Sequence, residues 1–206
     1  MELSNLEVNA LQTEFTNLLL STNRKNVDKV INWLENSSDF FVAPSSTGYH
    51  GNYKHGLLVH SLNVYKIALG ILDVLKSIKP DINVSEDNVK IAALLHDLCK
   101  ANFYKAETKW RKDANNQWEQ YEGYVIDDKF PFGHGEKSVL MLNMLGLEMQ
   151  SSEMLAIRWH MASWDGGILQ NDSKFAANAA DDKYPLCSII QSADKMASKI
   201  LETTNN

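Results

Sequence analysis

The stretch Ala93-Leu94-Leu95-His96-Asp97-Leu98-Cys99-Lys100 sets an imidazole beside a carboxylate inside an apolar helical run. Such a pair is costly to bury unless something else compensates it. A divalent metal is the simplest partner. A second apolar run, Gly56-Leu57-Leu58-Val59-His60-Ser61-Leu62, carries another imidazole. A third, Ser192-Ala193-Asp194-Lys195-Met196-Ala197, places an aspartate in mid-helix, where Asp is unfavourable without a task. Two imidazoles and two carboxylates make a mixed nitrogen and oxygen set. It suits manganese, iron, nickel, cobalt or zinc, and is less natural for calcium. The plain alternative is four unrelated buried polar groups, which would need four separate partners in one small protein. His96 and Asp97 are consecutive, so a regular helix would splay them by about 100°. One would then ligate directly while its neighbour approached from the side or bridged to a second ion.

Outward from these runs the chain reads as helices with one insertion. Leu6, Leu11, Phe15, Leu18 and Leu19 recur at helical spacing between Asn5 and Leu20. A shorter helix is expected over Val27 to Leu34, and a long one over Gly56 to Ile78, closed by Pro80. Pro44, Gly48 and Gly51 break the stretch between them. Ser85 reads as an N-cap, with Glu86 and Asp87 in the first turn of the helix that reaches His96. Phe103 to Ile126 is rich in Tyr, Trp, Thr and Val around Asp113-Ala114-Asn115-Asn116, the pattern of a β-hairpin with its tip there. Helices resume from about Glu136 to Gly146, and from a cap at Ser152 to His160. Trp164-Asp165-Gly166-Gly167 interrupts. Pro185 suits the first turn of a last helix, Leu186 to Leu201. Thr203 to Asn206 reads as a frayed tail. The fold class is therefore mainly α, with a hairpin near residues 103–126.

The bulk properties bound the partners. The chain has 206 residues, 44% of them apolar, with a net charge of −6. It is long enough to bury a substantial core and short enough to be one domain. An acidic balance argues against an extended nucleic-acid partner, which needs a basic surface. A local basic pocket for a phosphate stays open. No uninterrupted apolar run is long enough for a bilayer, and the N-terminus has no signal-peptide pattern. Cys99 and Cys187 form no Cys-x-x-Cys and read as reduced buried thiols. Together these features suggest a cytoplasmic protein.

The order His60, then His96-Asp97, then Asp194, with the local texts Gly-Leu-Leu-Val-His-Ser-Leu, Leu-Leu-His-Asp-Leu-Cys-Lys and Ser-Ala-Asp-Lys, resembles the HD-domain superfamily of metal-dependent phosphohydrolases. The resemblance spans about Tyr49 to Leu201 and leaves residues 1–48 as an N-terminal helical segment of the same domain. It implies a helical core with the metal held between helices. It also implies hydrolysis of a phosphate ester by attack of metal-bound water. His134 in Phe-Gly-His-Gly-Glu-Lys-Ser and His160 in Ile-Arg-Trp-His-Met resemble the extra histidines of the two-metal branch, in which Asp97 would bridge. The expected metal set is thus His60, His96, Asp97, His134, His160 and Asp194. It would hold one or two divalent ions drawn from Mn, Fe, Ni, Co, Zn or Mg. Two metals about 3.5–4 Å apart can stabilise both attacking and leaving oxygens.

Asp97 and Lys100 are the catalytic candidates. Lys100 lies four residues after His96, on the same face of a continuous helix. It would hold the scissile phosphate, with Lys137 and Arg158 as weaker substrate contacts. Asp165 could take a sugar hydroxyl or a proton. His50 and His55, with Tyr49, Tyr53 and Lys54, could line a pocket mouth, although ordinary loop roles are the simpler reading. Trp110, Trp118, Tyr121 and Tyr124 could stack a nucleobase, against the default of cross-strand pairing. The favoured substrate is a small phosphorylated compound, a nucleotide first. The texts around His60 and His96 also look like those of HD-type 3′→5′ exoribonucleases. A di-iron oxygenase would use the same ligands. A non-catalytic domain would predict a broken set, and the core set here is complete.

Overall fold

In the computed structural model, residues 3–162 and 171–203 are described, the side chains of residues 171 and 172 excepted. Every residue from Asn88 to Cys99 is buried, and this single fact organises the architecture. A helix that is apolar all round must be surrounded. Helix α4 (Glu86–Leu95) accordingly packs against α1 (Asn5–Leu20), α3 (Gly56–Ile78), α6 (Ser151–Trp159) and α8 (Pro185–Met196). Helices α2 (Val27–Asn36), α5 (His134–Met144) and α7 (Asn171–Lys183) complete the outer layer. A π-helical turn, Ala197–Leu201, continues α8. The fold is mainly α, as the sequence predicts.

Local chemistry explains the helix starts. The Ser85 hydroxyl accepts from the Asn88 amide at 3.1 Å, and Asn88 Oδ1 accepts from the Ser85 amide at 3.0 Å. That reciprocal cap holds the start of α4. Ser4 and Glu7 do the same for α1. Helix α6 begins two residues earlier than expected, capped at Gln150 in place of Ser152. Glu153 decides this. Its buried carboxylate accepts from the Gln150 amide at 2.7 Å, the Asn88 side chain at 2.8 Å and Arg24 at 2.6 Å. Leu6, expected on the buried face of α1, is 81% exposed, while Phe15 and Leu19 are fully buried. Helix α7 had no sequence forecast. Its residues are mostly polar, and it touches the core through Ala177 and Ala180.

Among the described residues, α3 is the one helix long and apolar enough in composition to cross a bilayer. Here it is a core helix. Its face carrying Leu57, Leu58, Leu62, Val64, Ala68 and Leu72 is buried against α1, α4 and α8.

The insertion is a two-stranded antiparallel ribbon, β1 (Tyr104–Lys112) with β2 (Trp118–Ile126), registered from Tyr104↔Ile126 to Lys112↔Trp118. Asp113 closes the tip, its carboxylate accepting from the amides of Asn115 and Gln117. Trp110 and Trp118 stay more than half exposed, Arg111 lies over Tyr121, and Lys112 lies over Trp118. Tyr121 and Trp118 thus meet basic side chains of β1 across the ribbon.

Helix α5 seats against α6 through Gly135, where an added Cβ would collide with the Arg158 carbonyl. Gly70 on α3 faces open space. Gly135→Ala is therefore expected to cost about 1–3 kcal/mol by overpacking. Gly70→Ala should gain about 0.5–1 kcal/mol through helix propensity. Urea denaturation of the metal-free protein checks both.

Candidate metal centre

Helix α4 stops at Leu95. His96 is its C-cap, Asp97 turns to φ −101° and ψ 21°, and Leu98–Lys100 form a 3₁₀ turn. The two consecutive side chains therefore converge instead of splaying as they would on a regular helix. His96 Nε2 lies 3.3 Å from Asp97 Oδ2. The same unwinding redirects Lys100. It does not share a helical face with His96 but bonds Asp97 Oδ2 at 2.6 Å through an i,i+3 turn.

Around Asp97 the structure gathers all six expected ligands. Oδ2 faces His96 and His60, the latter at 3.5 Å, and His60 Nε2 also meets Asp194 Oδ1 of α8 at 3.2 Å. Oδ1 faces the other way, toward His134 Nε2 at 2.8 Å and His160 Nε2 at 3.5 Å. Ligand-capable atoms cluster as His60–His96–Asp97, as His96–His160–Asp194 and as Asp97–His134–His160, each within 4.8 Å. One carboxylate thus separates two groups of imidazoles. His60 comes from α3, His134 from the start of α5, and His160 from the end of α6.

Each imidazole is oriented from behind. His96 and His160 donate Nδ1–H to the carbonyls three residues back, Ala93 and Ile157, at 2.8 and 2.7 Å. This directs both Nε2 lone pairs into the site. His160 Nε2 is buried and has no hydrogen-bond partner among the described residues, since 3.5 Å is too long for one. His96 Nε2 faces His60 Nε2 at 3.3 Å. Buried nitrogens aimed at one another and at two carboxylates are what a bound cation resolves, so the donor set fits a divalent metal.

Without metal, a proton does that work. Burial opposes charge on His60, but hydrogen bonds to Asp194 and Glu202 outweigh it and raise the imidazole to about 10. Asp97 is pushed up by burial, yet Lys100, His96, His134 and His160 hold it well below the usual carboxylate range. Burial lowers His134. Burial also lifts the Cys99 thiol to about 12, so it stays an S–H donor 3.3 Å from His134 Nδ1.

Glu202 went unnoticed in sequence, and His50, read there as a pocket-mouth or ordinary loop residue, lies beside His60. Glu202, just past the π-turn, accepts from His60 Nδ1 at 2.9 Å and from Asn63 at 2.9 Å. A carboxylate behind a metal-binding imidazole fixes its tautomer and raises its basicity. His50 stands with its ring centroid 5.0 Å from that of His60, and its buried Nε2 has no partner among the described residues. Burial, with help from the His60 and Lys100 charges, lowers it to about 4. The Ser45 and Ser46 hydroxyls both donate to its carbonyl at 2.8 Å, so the loop holds it in place. His55 is structural, its Nδ1 bonded to the Phe41 carbonyl.

Both weaker substrate candidates have partners in the fold, and Lys137 also lines the cleft beside His134. Arg158 pairs with Glu136 and stacks on Trp159 at 3.7 Å. Lys137 is buried, bonded to Asp128 at 2.5 Å and lying over Phe103. Asp165 lies outside the described residues. A cleft of about 290 Å³ opens beside His134 and Lys100.

The model of the HD domain family matches residues 57–199, most of the chain and every one of the six clustered ligands. The chain belongs to the HD domain family. One curated relative, the dihydroneopterin 2′,3′-cyclic phosphate phosphodiesterase of Methanocaldococcus jannaschii, is 40% identical over 62 residues. The match covers 30% of this HD domain chain and 24% of the relative. No solved structure matches significantly.

Loading this HD centre requires His60 to lose its Nε2 proton. Metal affinity should therefore rise with pH below about 10, by roughly tenfold per unit if one proton is released. Competitive chelator titrations between pH 6 and 9 measure the slope. Glu202→Ala should weaken metal binding by about 10–100-fold, and Glu202→Gln, which keeps an acceptor for Nδ1–H, by less.

Proposed function

We propose that this HD protein hydrolyses a phosphate ester of a small molecule, a nucleotide being the favoured substrate class, at a two-metal centre bridged by Asp97. The observation that carries the reading is the opposed placement of the two Asp97 oxygens. Oδ2 lies toward His60 and His96, and Oδ1 toward His134 and His160, while Asp194 meets His60 and clusters with His96 and His160. Divalent ions held there would supply Lewis acidity toward phosphoryl oxygens and bring a water near ionisation at neutral pH.

The chain's own residues set the rest. His60, with Glu202 behind it, and Asp194 hold one side of the centre, while His134 and His160 hold the other. The Lys100 ammonium is fixed at Asp97, with burial opposing its charge and the Asp97 carboxylate raising it above the ordinary lysine range. It stays cationic, ready to take charge from a non-bridging phosphoryl oxygen at the cleft. The matched relative acts, by its name, on a small cyclic phosphate. That supports a small phosphoester here, and the net charge of −6 favours it over a polymer.

The test is turnover of nucleoside monophosphates, 2′,3′-cyclic nucleotides and a labelled oligonucleotide by protein loaded with manganese. Hydrolysis of the small esters is expected. Oligonucleotide trimming alone would transfer the reading to an exonuclease, and no turnover of any ester with a full metal complement would reject it. Asp97→Ala should lose metal and activity together. Lys100→Ala should keep metal and lower kcat by about 10–100-fold, the scale of one lost charge-stabilising donor.

A further inference from the structure

Between the end of β2 and His134 runs the segment Asp127-Asp128-Lys129-Phe130-Pro131-Phe132-Gly133. It carries two phenylalanines that the core does not use. Phe130 is 40% exposed and Phe132 50%. Their rings lie nearly parallel, 13° apart, with centroids 5.8 Å from each other. Exposed aromatics held in a fixed stack beside a metal centre need a reason, because each leaves apolar surface in water.

Phe132 forms one wall of the cleft that opens on His134 and Lys100, with Phe103 in the same lining. Asp128 and Lys137 are also part of that lining. Asp128 Oδ1 already accepts from Lys137 and from the Phe130 amide at 2.8 Å. Among the described residues no hydrogen bond to Asp128 Oδ2 is found, and an ionised carboxylate has lone pairs to spare. Lys137 and the Phe130 amide, in that order after the opposing effect of burial, hold Asp128 below the usual carboxylate range. The cleft thus offers aromatic walls, the Asp128 carboxylate in its lining and the candidate ligand His134. At about 290 Å³ it sits at the small end of ligand sites, roughly 300–1,000 Å³.

From this we infer that the cleft is a binding subsite for the planar nitrogen heterocycle of the substrate, stacked on Phe132, with a ring N–H donated to Asp128 while the phosphate lies at the metal centre. The inference rests on the phosphoester reading for the placement of the phosphate. Its heterocycle half stands on the cleft alone. The small volume accommodates one ring system and excludes a stack of bases. The hairpin tryptophans, Trp110 and Trp118, are not in its lining.

Equilibrium dialysis of guanosine, which has the ring and no phosphate, against the metal-loaded full chain tests the subsite without turnover. Guanosine should be retained, and ribose should not. Phe132→Leu, which keeps apolar bulk at an exposed position and removes the aromatic face, should weaken retention by roughly tenfold. Asp128→Asn should weaken guanosine more than a heterocycle lacking a ring N–H, such as 1-methylguanosine. Metal content should be unchanged in both variants. In turnover, Phe132→Leu should raise KM for guanosine monophosphate and leave glycerol phosphate unaffected. Equal retention of guanosine by wild type and Phe132→Leu, or equal retention of ribose and guanosine, overturns the inference. Phe132-dependent retention without hydrolysis of any ester would keep the subsite and remove the phosphohydrolase reading.

Discussion

Asp97 keeps a full negative charge with only 2% of its side chain exposed, and the surrounding architecture is arranged to make that tolerable. A lone buried carboxylate would simply take up a proton. Here Lys100 approaches one oxygen and His134 the other, with His60, His96 and His160 close behind. Four helices and a 3₁₀ turn must meet at one point to supply those groups, so the packing of the core and the charge balance of the centre are one problem. The termination of α4 at Leu95 is the local device that solves it, because only an unwound end lets neighbouring residues aim at the same place.

The charge balance also explains the state of the centre without metal. The proton on His60, favoured by Asp194 and Glu202 against the cost of burial, offsets carboxylate charge at that side of the centre. A fold that is competent in both states needs no large rearrangement to take up an ion. The rigid backing of His96 and His160 by their own helix carbonyls is consistent with that, as is the seating of α5 against α6 at Gly135.

Much of this was legible in the chain because the signals were local. Ser85 with Glu86 and Asp87 announced a helix start, Asp113 to Asn116 announced a hairpin tip, and the apolar runs around His60 and His96 marked buried helices. His60, His96, Asp97 and Asp194 stood out because each broke an apolar pattern, whereas His134 and His160 were named from the family resemblance. What escaped reading lacked such a contrast. Helix α7 buries only small alanines, so its apolar period is faint. Glu202 sits 142 residues from His60, and an acidic residue after a helix looks solvated in sequence. His50 was read as a pocket-mouth or loop residue, but its place beside His60 depends on a loop wound around its own carbonyl. Lys100 was aimed wrongly because helical periodicity was carried past Leu95, where the helix had already ended.

The long sequence separation between His60 and its partners on and after α8 has a kinetic meaning. Contacts between α3 and α4 are nearly local and can form early, whereas Asp194 and Glu202 can close on His60 only after a large loop has been organised. Metal coordination is then among the last interactions gained in folding and the first that must be broken in unfolding. Interactions absent from the folding transition state leave the folding rate almost untouched and slow the reverse step. The bound metal would therefore act as a clasp on the finished molecule, lengthening its lifetime without hastening its formation.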